Sequence, residues 1–319
     1  MTTQAVAMTA LGLVRIDAPQ LAYFRDTFYK APTVLHKFAV ELEAFIDGRH
    51  IFWPKLFDEV MEHPLKNGMF RRLAHPAWFS EPGSSYSPPG PSPPCAQLQD
   101  LVNAASKCET RRSSEAHWNC VVHYPVLELA LKPHSTILDV VNCTSATINT
   151  GYPTQLPPSI RGDSKKVDFC IVVDQSGSGC HPAIYDIVTT DSVNHSNHPP
   201  LLSCPIAISI ETKAAAPNKE EAELQMGQAI EQLGFLPGLI VLQHDWYFIA
   251  ATRSVTIWRR IAIGSTDTPE GICNIICAIR YLASWVETTY WPWFCRWALG
   301  DTHHLYRNIC SQVGRSSSS

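Results

Sequence analysis

The sequence predicts an α/β protein with a mixed central sheet flanked by helices and an N-terminal helical extension. Three observations carry this. Short apolar runs at residues 167–173, 206–210 and 238–242 have the length and β-branched content of buried strands. Segments with apolar residues three and four apart alternate with them, as in Ala222, Met226, Ala229, Ile230 and Leu233. Two further strand patterns then follow one another directly, which implies antiparallel neighbours. The alternation of strands and helices implies helices on both faces of the sheet.

At 319 residues, 45% hydrophobic and 17% charged, with nine tryptophans, the chain is long enough and apolar enough for a sizeable core. A net charge of -4 and a pI near 6.3 argue against holding nucleic acid by bulk electrostatics. Only a small basic group, Arg161 with Lys165 and Lys166, stands near the strand patterns. The eleven cysteines are odd in number and include no Cys-x-x-Cys pair, so no disulfide scaffold is expected. The apolar run at residues 5–11 follows no positive charge and is too short to span a bilayer. The expectation is a reduced, intracellular protein with no membrane association. No compact run of lysines and arginines distinguishes nucleus from cytoplasm.

The elements follow in order. Residues 1–79 read as a helical region: Leu35, Phe38, Leu42 and Phe45 keep helical spacing, and Pro54 opens a run through Leu56, Val60 and Met61. Residues 80–96 are dominated by Pro, Ser and Gly and read as a linker. Their Pro-x-x-Pro pattern has no accompanying Arg or Lys, which favours a linker over a ligand for proline-recognising domains. Residues 97–300 form the core and 301–319 a tail. Within the core, 98–132 read as helix, with Pro125 expected to kink it or end it early. Strands are expected at 136–141 and 167–173. A polar segment with Gly177, Gly179, Pro182, Pro199 and Pro200 leads to the strand at 206–210. A helix over 222–233 stops at Gly234. The strand at 238–242, a turn at 243–245 and antiparallel strands at 246–251 and 255–263 follow. Thr268 and Pro269 cap a last helix that buries Ile272, Ile275, Ile276, Ile279, Leu282, Ala283 and Val286.

Chemistry concentrates at Glu211 and Lys213. They stand two residues apart at a strand end, so they share a face. Asp168 begins the neighbouring strand pattern. Mg²⁺ prefers hard oxygen ligands, and one or two carboxylates suffice when a phosphate supplies the rest. Such an ion polarises phosphate and acidifies bound water. A lysine beside it orients that water or stabilises the charged transition state.

An acid at a strand start followed by Glu-x-Lys on the next strand resembles the PD-(D/E)XK nuclease-like superfamily. A fungal branch of it is similar at further points: residues 115–119 with Val122-His123, Lys166-Val167-Asp168, the Ser-Ile-Glu-Thr-Lys stretch at 209–213, Leu224-Gln225, residues 236–238, residues 244–246 and residues 290–293. The resemblance spans about residues 108–299. It implies a restriction-endonuclease-like fold and metal-dependent hydrolysis of phosphodiesters in nucleic acid. It also implies Glu115, Asp168 and Glu211 as acids for Mg²⁺ or Mn²⁺, Lys213 as the catalytic lysine and Gln225 as a helix residue facing the site. Gln225, Gln228 and Gln232 independently share one side of their helix.

Glu220, Glu221 and Glu223 depart from this expectation, since acids facing the cleft repel a phosphate backbone. Two alternatives therefore stand beside the nuclease: an enzyme acting on a small-molecule substrate, and a catalytically inactive module that binds nucleic acid or protein. Nothing in the sequence fixes the oligomeric state. An acid near a helix start is also favoured by the helix dipole alone, which gives Glu115 a structural explanation. Cys170, Cys180, His181, His195, His198 and Cys204 fit no familiar zinc spacing. Asn194-His195 is similar to a feature of the same family, and for His195 a loop-ordering role and a catalytic one both stand open. Turn formation accounts for His244 and Asp245, and core packing for Trp285, Trp291, Trp293 and Trp297.

Overall fold

A computed structural model describes residues 33–46, 54–74, 90–146, 167–174, 194, 198–213, 233–251 and 257–299. Among them, six strands form one sheet in sequential order: β1 (Leu138–Asn142), β2 (Phe169–Val173), β3 (Ile206–Lys213), β4 (Leu236–Leu242), β5 (Asp245–Ala251) and β6 (Ile257–Ser265). All neighbours are antiparallel except β3 and β4, so the sheet is mixed as expected. A parallel pair needs a long crossover, and residues 214–235 are sufficient for one.

Side-chain alternation divides the strands between two faces. Phe169, Ile171, Ile208, Ile210, Leu239, Val241 and Phe248 point into the main apolar core. Cys170, Val172, Ile240 and Ile249 point the other way, into two smaller clusters. The main core is covered by helix α6 (Pro269–Trp285), whose Ile272, Ile275, Ile276, Ile279, Leu282 and Ala283 are wholly buried. Each such aliphatic side chain stabilises the fold by about 1.5–3 kcal/mol. Helices α1 (Thr33–Ile46) and α2 (Pro54–Glu62) add Leu35, Phe38, Leu42, Leu56 and Val60 to the same cluster. The Phe38 ring lies 5.3 Å from that of Phe235 and 4.7 Å from that of Tyr281. The helical N-terminal region thus shares its core with the sheet.

The expected cap of α6 forms: the Thr268 hydroxyl accepts the Gly271 N–H at 3.2 Å, with Pro269 in the first turn. Gly264, at φ +151, lets the end of β6 pass close beneath this turn. A Cβ there would meet the Gly271 carbonyl at 2.3 Å.

The expected helix over 98–132 is instead divided. Helix α3 (Cys95–Thr110) begins inside the segment read as linker and ends at a turn where Arg112 is left-handed, φ +49. Ser114 then caps a new helix, accepting the His117 N–H at 3.4 Å. This helix runs as α4 (Glu115–Trp118), one wide turn (Asn119–His123) and α5 (Tyr124–Leu131). Pro125 does not end it. Tyr124 bonds five residues back to the Asn119 carbonyl, and the proline falls in the first turn of α5, where its missing N–H costs little. The same device recurs after α6. A wide turn (Val286–Tyr290) precedes α7 (Trp291–Leu299), with Pro292 at its second residue.

Strand boundaries also shift slightly. β1 lies later than 136–141. β4 starts before 238 because Pro237 pairs with β5 while its pairing with β3 begins only at Gly238, where a donor is needed. The expected helix at 222–232 lies outside the described residues. Leu233 is helical, and Gly234 adopts φ +84, as a helix stop requires. Trp285, Trp291 and Trp293 are buried, as core packing predicts. No helix among the described residues is long and apolar enough to cross a membrane.

Among the described residues Arg280 is the one buried arginine, 1% exposed. Its guanidinium donates to the carbonyls of Ala130 at 3.0 Å, Pro91 at 2.6 Å and Leu129 at 3.4 Å. It thereby closes the last turn of α5 and pins the proline-rich segment to the core. Replacing it with Met leaves buried carbonyls unsatisfied, so Arg280→Met is expected to lower unfolding stability by about 3 kcal/mol, read by urea titration.

Candidate active site

The site is built at the end of β3. Asn194 prepares the strand's start: its amide donates to the carbonyls of Leu201 and Cys204, and its oxygen accepts the Ile206 N–H. Asn194 thus orders this loop, while His195, whose role stood open, lies outside the described residues. From the far side of the sheet, the Tyr290 hydroxyl donates to the Ile206 carbonyl at 2.8 Å.

Pairing of Phe169 with Ile210 sets the register of β2 against β3. Continued by one residue, it brings Asp168 opposite Glu211, both on the face away from the main core. Asp168 is 8% exposed, and its Oδ2 accepts the Thr212 N–H at 2.8 Å. Glu211 Oε1 lies 2.6 Å from Lys213 Nζ, so the two side chains do share a face. Lys213 Nζ also donates to the Thr212 carbonyl at 2.8 Å and stands 3.8 Å from Glu115 Oε1. The structure therefore gathers Asp168, Glu211, Lys213 and Glu115, four of the five expected residues. Gln225 lies outside the described residues.

The Glu211 side chain is only 12% exposed, and its Oε2 is buried with no hydrogen-bond partner among the described residues. Burial pushes its carboxyl up to about 7, against the pull of Lys213 and with the charges of Asp168 and Glu115 adding to the rise. For Lys213, burial acts downward, but the hydrogen bond and charge of Glu211, with Asp168 and Glu115, outweigh it. The ammonium is held above its ordinary value. Lys213 thus stands between carboxylates where a cation is needed. Among the described residues, no three His, Cys, Asp or Glu side chains are already gathered as a metal cage. The donor set nevertheless fits a hard divalent ion, with two buried carboxylates side by side and one lone-pair-bearing oxygen unspent.

Other expectations resolve differently. Cys170 sits wholly buried beside Cys143, and burial pushes its thiol well up, which disfavours a zinc thiolate. Cys180, His181 and His195 lie outside the described residues. His244 does stand in the β4–β5 turn, where its Nδ1 meets Asp267 at 2.8 Å and Thr266 at 3.1 Å. A cavity of about 620 Å³ between α3, α5 and β1, lined by Asp100, Tyr124, Glu128 and Lys132, opens on the opposite face of the sheet from Glu211.

One group of side chains goes beyond the sequence-based expectation. Lys107, Arg111, Arg112 and His117 are exposed around the turn that leads into Glu115. Their signal in the sequence is adjacency to Glu115. The positive charge expected near the strands, Arg161 with Lys165 and Lys166, lies outside the described residues.

A sequence model described as the PD-(D/E)XK nuclease superfamily matches residues 65–291. The chain belongs to that superfamily, in agreement with its mixed sheet, its flanking helices and the acid and Glu-x-Lys strands. No curated protein and no solved structure matches the chain.

Two outcomes follow for the metal-free protein. A raised Glu211 pKa means that folding favours the neutral acid. That contribution is complete below the ordinary value of 4.5 and is lost as pH rises through about 7. Relative to wild type, Glu211→Gln is therefore expected to gain about 3 kcal/mol between pH 4.5 and pH 8, measured by urea unfolding in chelator. The Thr212 hydroxyl is buried without a partner among the described residues, so Thr212→Val is expected to cost nothing, or to stabilise by up to about 1 kcal/mol.

Proposed function

We propose that the protein is a metal-dependent phosphodiesterase acting on nucleic acid, with Asp168, Glu211, Lys213 and Glu115 as its catalytic group. The observation that carries this reading is the buried, unpaired Glu211 Oε2 beside Asp168, with a lysine bridging Glu211 and Glu115. A structural ion pair gains little from such crowding, because two extra acids and burial all oppose the Glu211 charge. A hydrolytic centre needs that excess of negative charge to attract a divalent cation.

In this reading Asp168 and Glu211 would hold Mg²⁺ or Mn²⁺, with Glu115 completing the acidic wall from its helix. The ion supplies Lewis acidity toward a phosphate oxygen. The Asp168 carboxylate is oriented by the Thr212 N–H, which keeps it aimed at its neighbour on β3. The ammonium of Lys213, beside Glu211, is placed to hydrogen-bond a water or a phosphate oxygen and to offset charge that grows in the transition state. Gln225, within the helix expected over 222–233, is proposed to face the same site. Lys107, Arg111, Arg112 and His117 form the approach for the phosphate backbone and offset the acidic overall charge.

Labelled single- and double-stranded DNA and RNA, incubated with Mg²⁺ or Mn²⁺, test this directly. Cleavage is expected in the wild type, with Glu211→Gln and Lys213→Met each reduced by at least about 100-fold. Arg111→Ala and Arg112→Ala should instead weaken binding and lower the salt slope by about one unit for each phosphate that is no longer neutralised. Equal activity in all five proteins would remove the proposal.

A further inference from the structure

The catalytic group draws on two separately built pieces, the strand end carrying Glu211 and Lys213 and the helix carrying Glu115. The direct contact between them, Lys213 to Glu115, is 3.8 Å long and involves a carboxylate 36% exposed. A pair of that kind is too weak to fix the helix by itself. Something else must set the approach.

His123 lies on the same helix, two turns beyond Glu115, and is 1% exposed. Its ring stacks on Trp118 at 5.6 Å and meets Trp246 edge-on at 5.8 Å. Its Nδ1 lies 2.9 Å from Asn119 Oδ1, and its Nε2 lies 2.9 Å from the Gln243 carbonyl oxygen. A carbonyl only accepts, so Nε2 carries the proton; Nδ1 of the neutral ring then accepts, which turns the Asn119 amide so that its N–H rather than its oxygen faces the ring. Burial pushes the imidazole down to about 4, with the Gln243 bond opposing that shift, and the ring stays neutral in ordinary buffers.

Gln243 is left-handed at φ +54, a conformation uncommon in a residue with a side chain. This twist lets one residue face two ways. Its carbonyl receives His123, and its N–H donates to the Lys213 carbonyl at 3.1 Å. An unbroken chain of directional bonds therefore runs from the Glu115 helix through His123 and Gln243 to the backbone of Lys213. The helix also packs Trp118 and Val122 on Ala105 and Cys108 of α3, and Trp118 meets the His244 ring edge-on at 4.9 Å; such contacts resist separation more than sliding. The wide turn at Asn119–His123 also acquires a purpose, because such turns re-aim side chains and often mark functional sites.

We propose that His123 is a positioning residue: through the backbone of Gln243 it sets the distance between Glu115 and Lys213. The importance of that distance for catalysis rests on the hydrolase reading above. The geometry itself can be read without substrate or metal.

The test is competitive acylation of lysine amines in the native, metal-free protein, with Lys213 followed by mass spectrometry. In wild type the ammonium among three acids reacts slowly. Glu115→Gln should raise Lys213 labelling by about threefold. His123→Ala should raise it by a similar factor, and the double variant should go no higher than either single one. His123→Gln, whose amide N–H reaches about as far as Nε2, should restore wild-type labelling, whereas the shorter His123→Asn should behave as His123→Ala does. The His123→Gln and His123→Asn comparison also decides the matter if His123→Ala does not fold. Leu35→Ala, which opens the core at α1 away from this helix, should leave Lys213 labelling unchanged and so separates positioning from general loosening. Wild-type labelling in His123→Ala or His123→Asn, or an effect that multiplies with that of Glu115→Gln, would overturn the proposal. Failure of the hydrolase reading would show only in the cleavage assay, with this labelling pattern intact.

Discussion

The site depends on the hydrogen bond from the Thr212 N–H to Asp168 Oδ2, together with the register it reports. Phe169 opposite Ile210 puts Asp168 opposite Glu211 on the face of the sheet away from the main core. A slip of one residue would send the Asp168 side chain into the main core, because strand side chains alternate. That core prevents the slip, since Phe169, Ile171, Ile208 and Ile210 fill it only in the observed register. Apolar packing on one face thus dictates the placement of charge on the other. Asn194 and Tyr290 secure the opposite end of β3 with directional bonds to Ile206.

Charge is then concentrated beyond what stability favours. Three acids and one lysine meet where Glu211 is nearly buried, and the lysine does not neutralise them all. The fold accepts an unfavourable local arrangement, supported by an extensive core elsewhere. Membership in the PD-(D/E)XK nuclease superfamily gives that arrangement a chemical context. The helix bearing Glu115 brings a further acid to the same edge, and Arg111 and Arg112 are exposed in the turn that precedes it.

Much of this was legible in the residues. Two-residue spacing alone put Glu211 and Lys213 on one face, and the apolar periods located α1, α2, α6 and the strands. The features that were not legible depend on backbone geometry that apolar periodicity does not encode. The break at Arg112 arises from a left-handed turn and a Ser114 cap, while the apolar pattern continues across it. The passage of Pro125 and Pro292 depends on wide helical turns that shift the hydrogen bonds by one residue. Pro237 entered β4 because its missing donor falls where no partner strand requires it. The link from His123 to Gln243 crosses 120 residues of sequence and was invisible as a pattern.

The central claim is that Asp168 and Glu211 form one cation site that Lys213 fills when no metal is present. Crystals soaked in Mn²⁺ and recorded at a wavelength that reveals its anomalous scattering address it most directly. The expected result is a single strong peak in contact with both carboxylates, with the Lys213 ammonium displaced from Glu211. A fully soaked crystal with no peak at these carboxylates, and with the 2.6 Å Lys213–Glu211 contact intact, would contradict it.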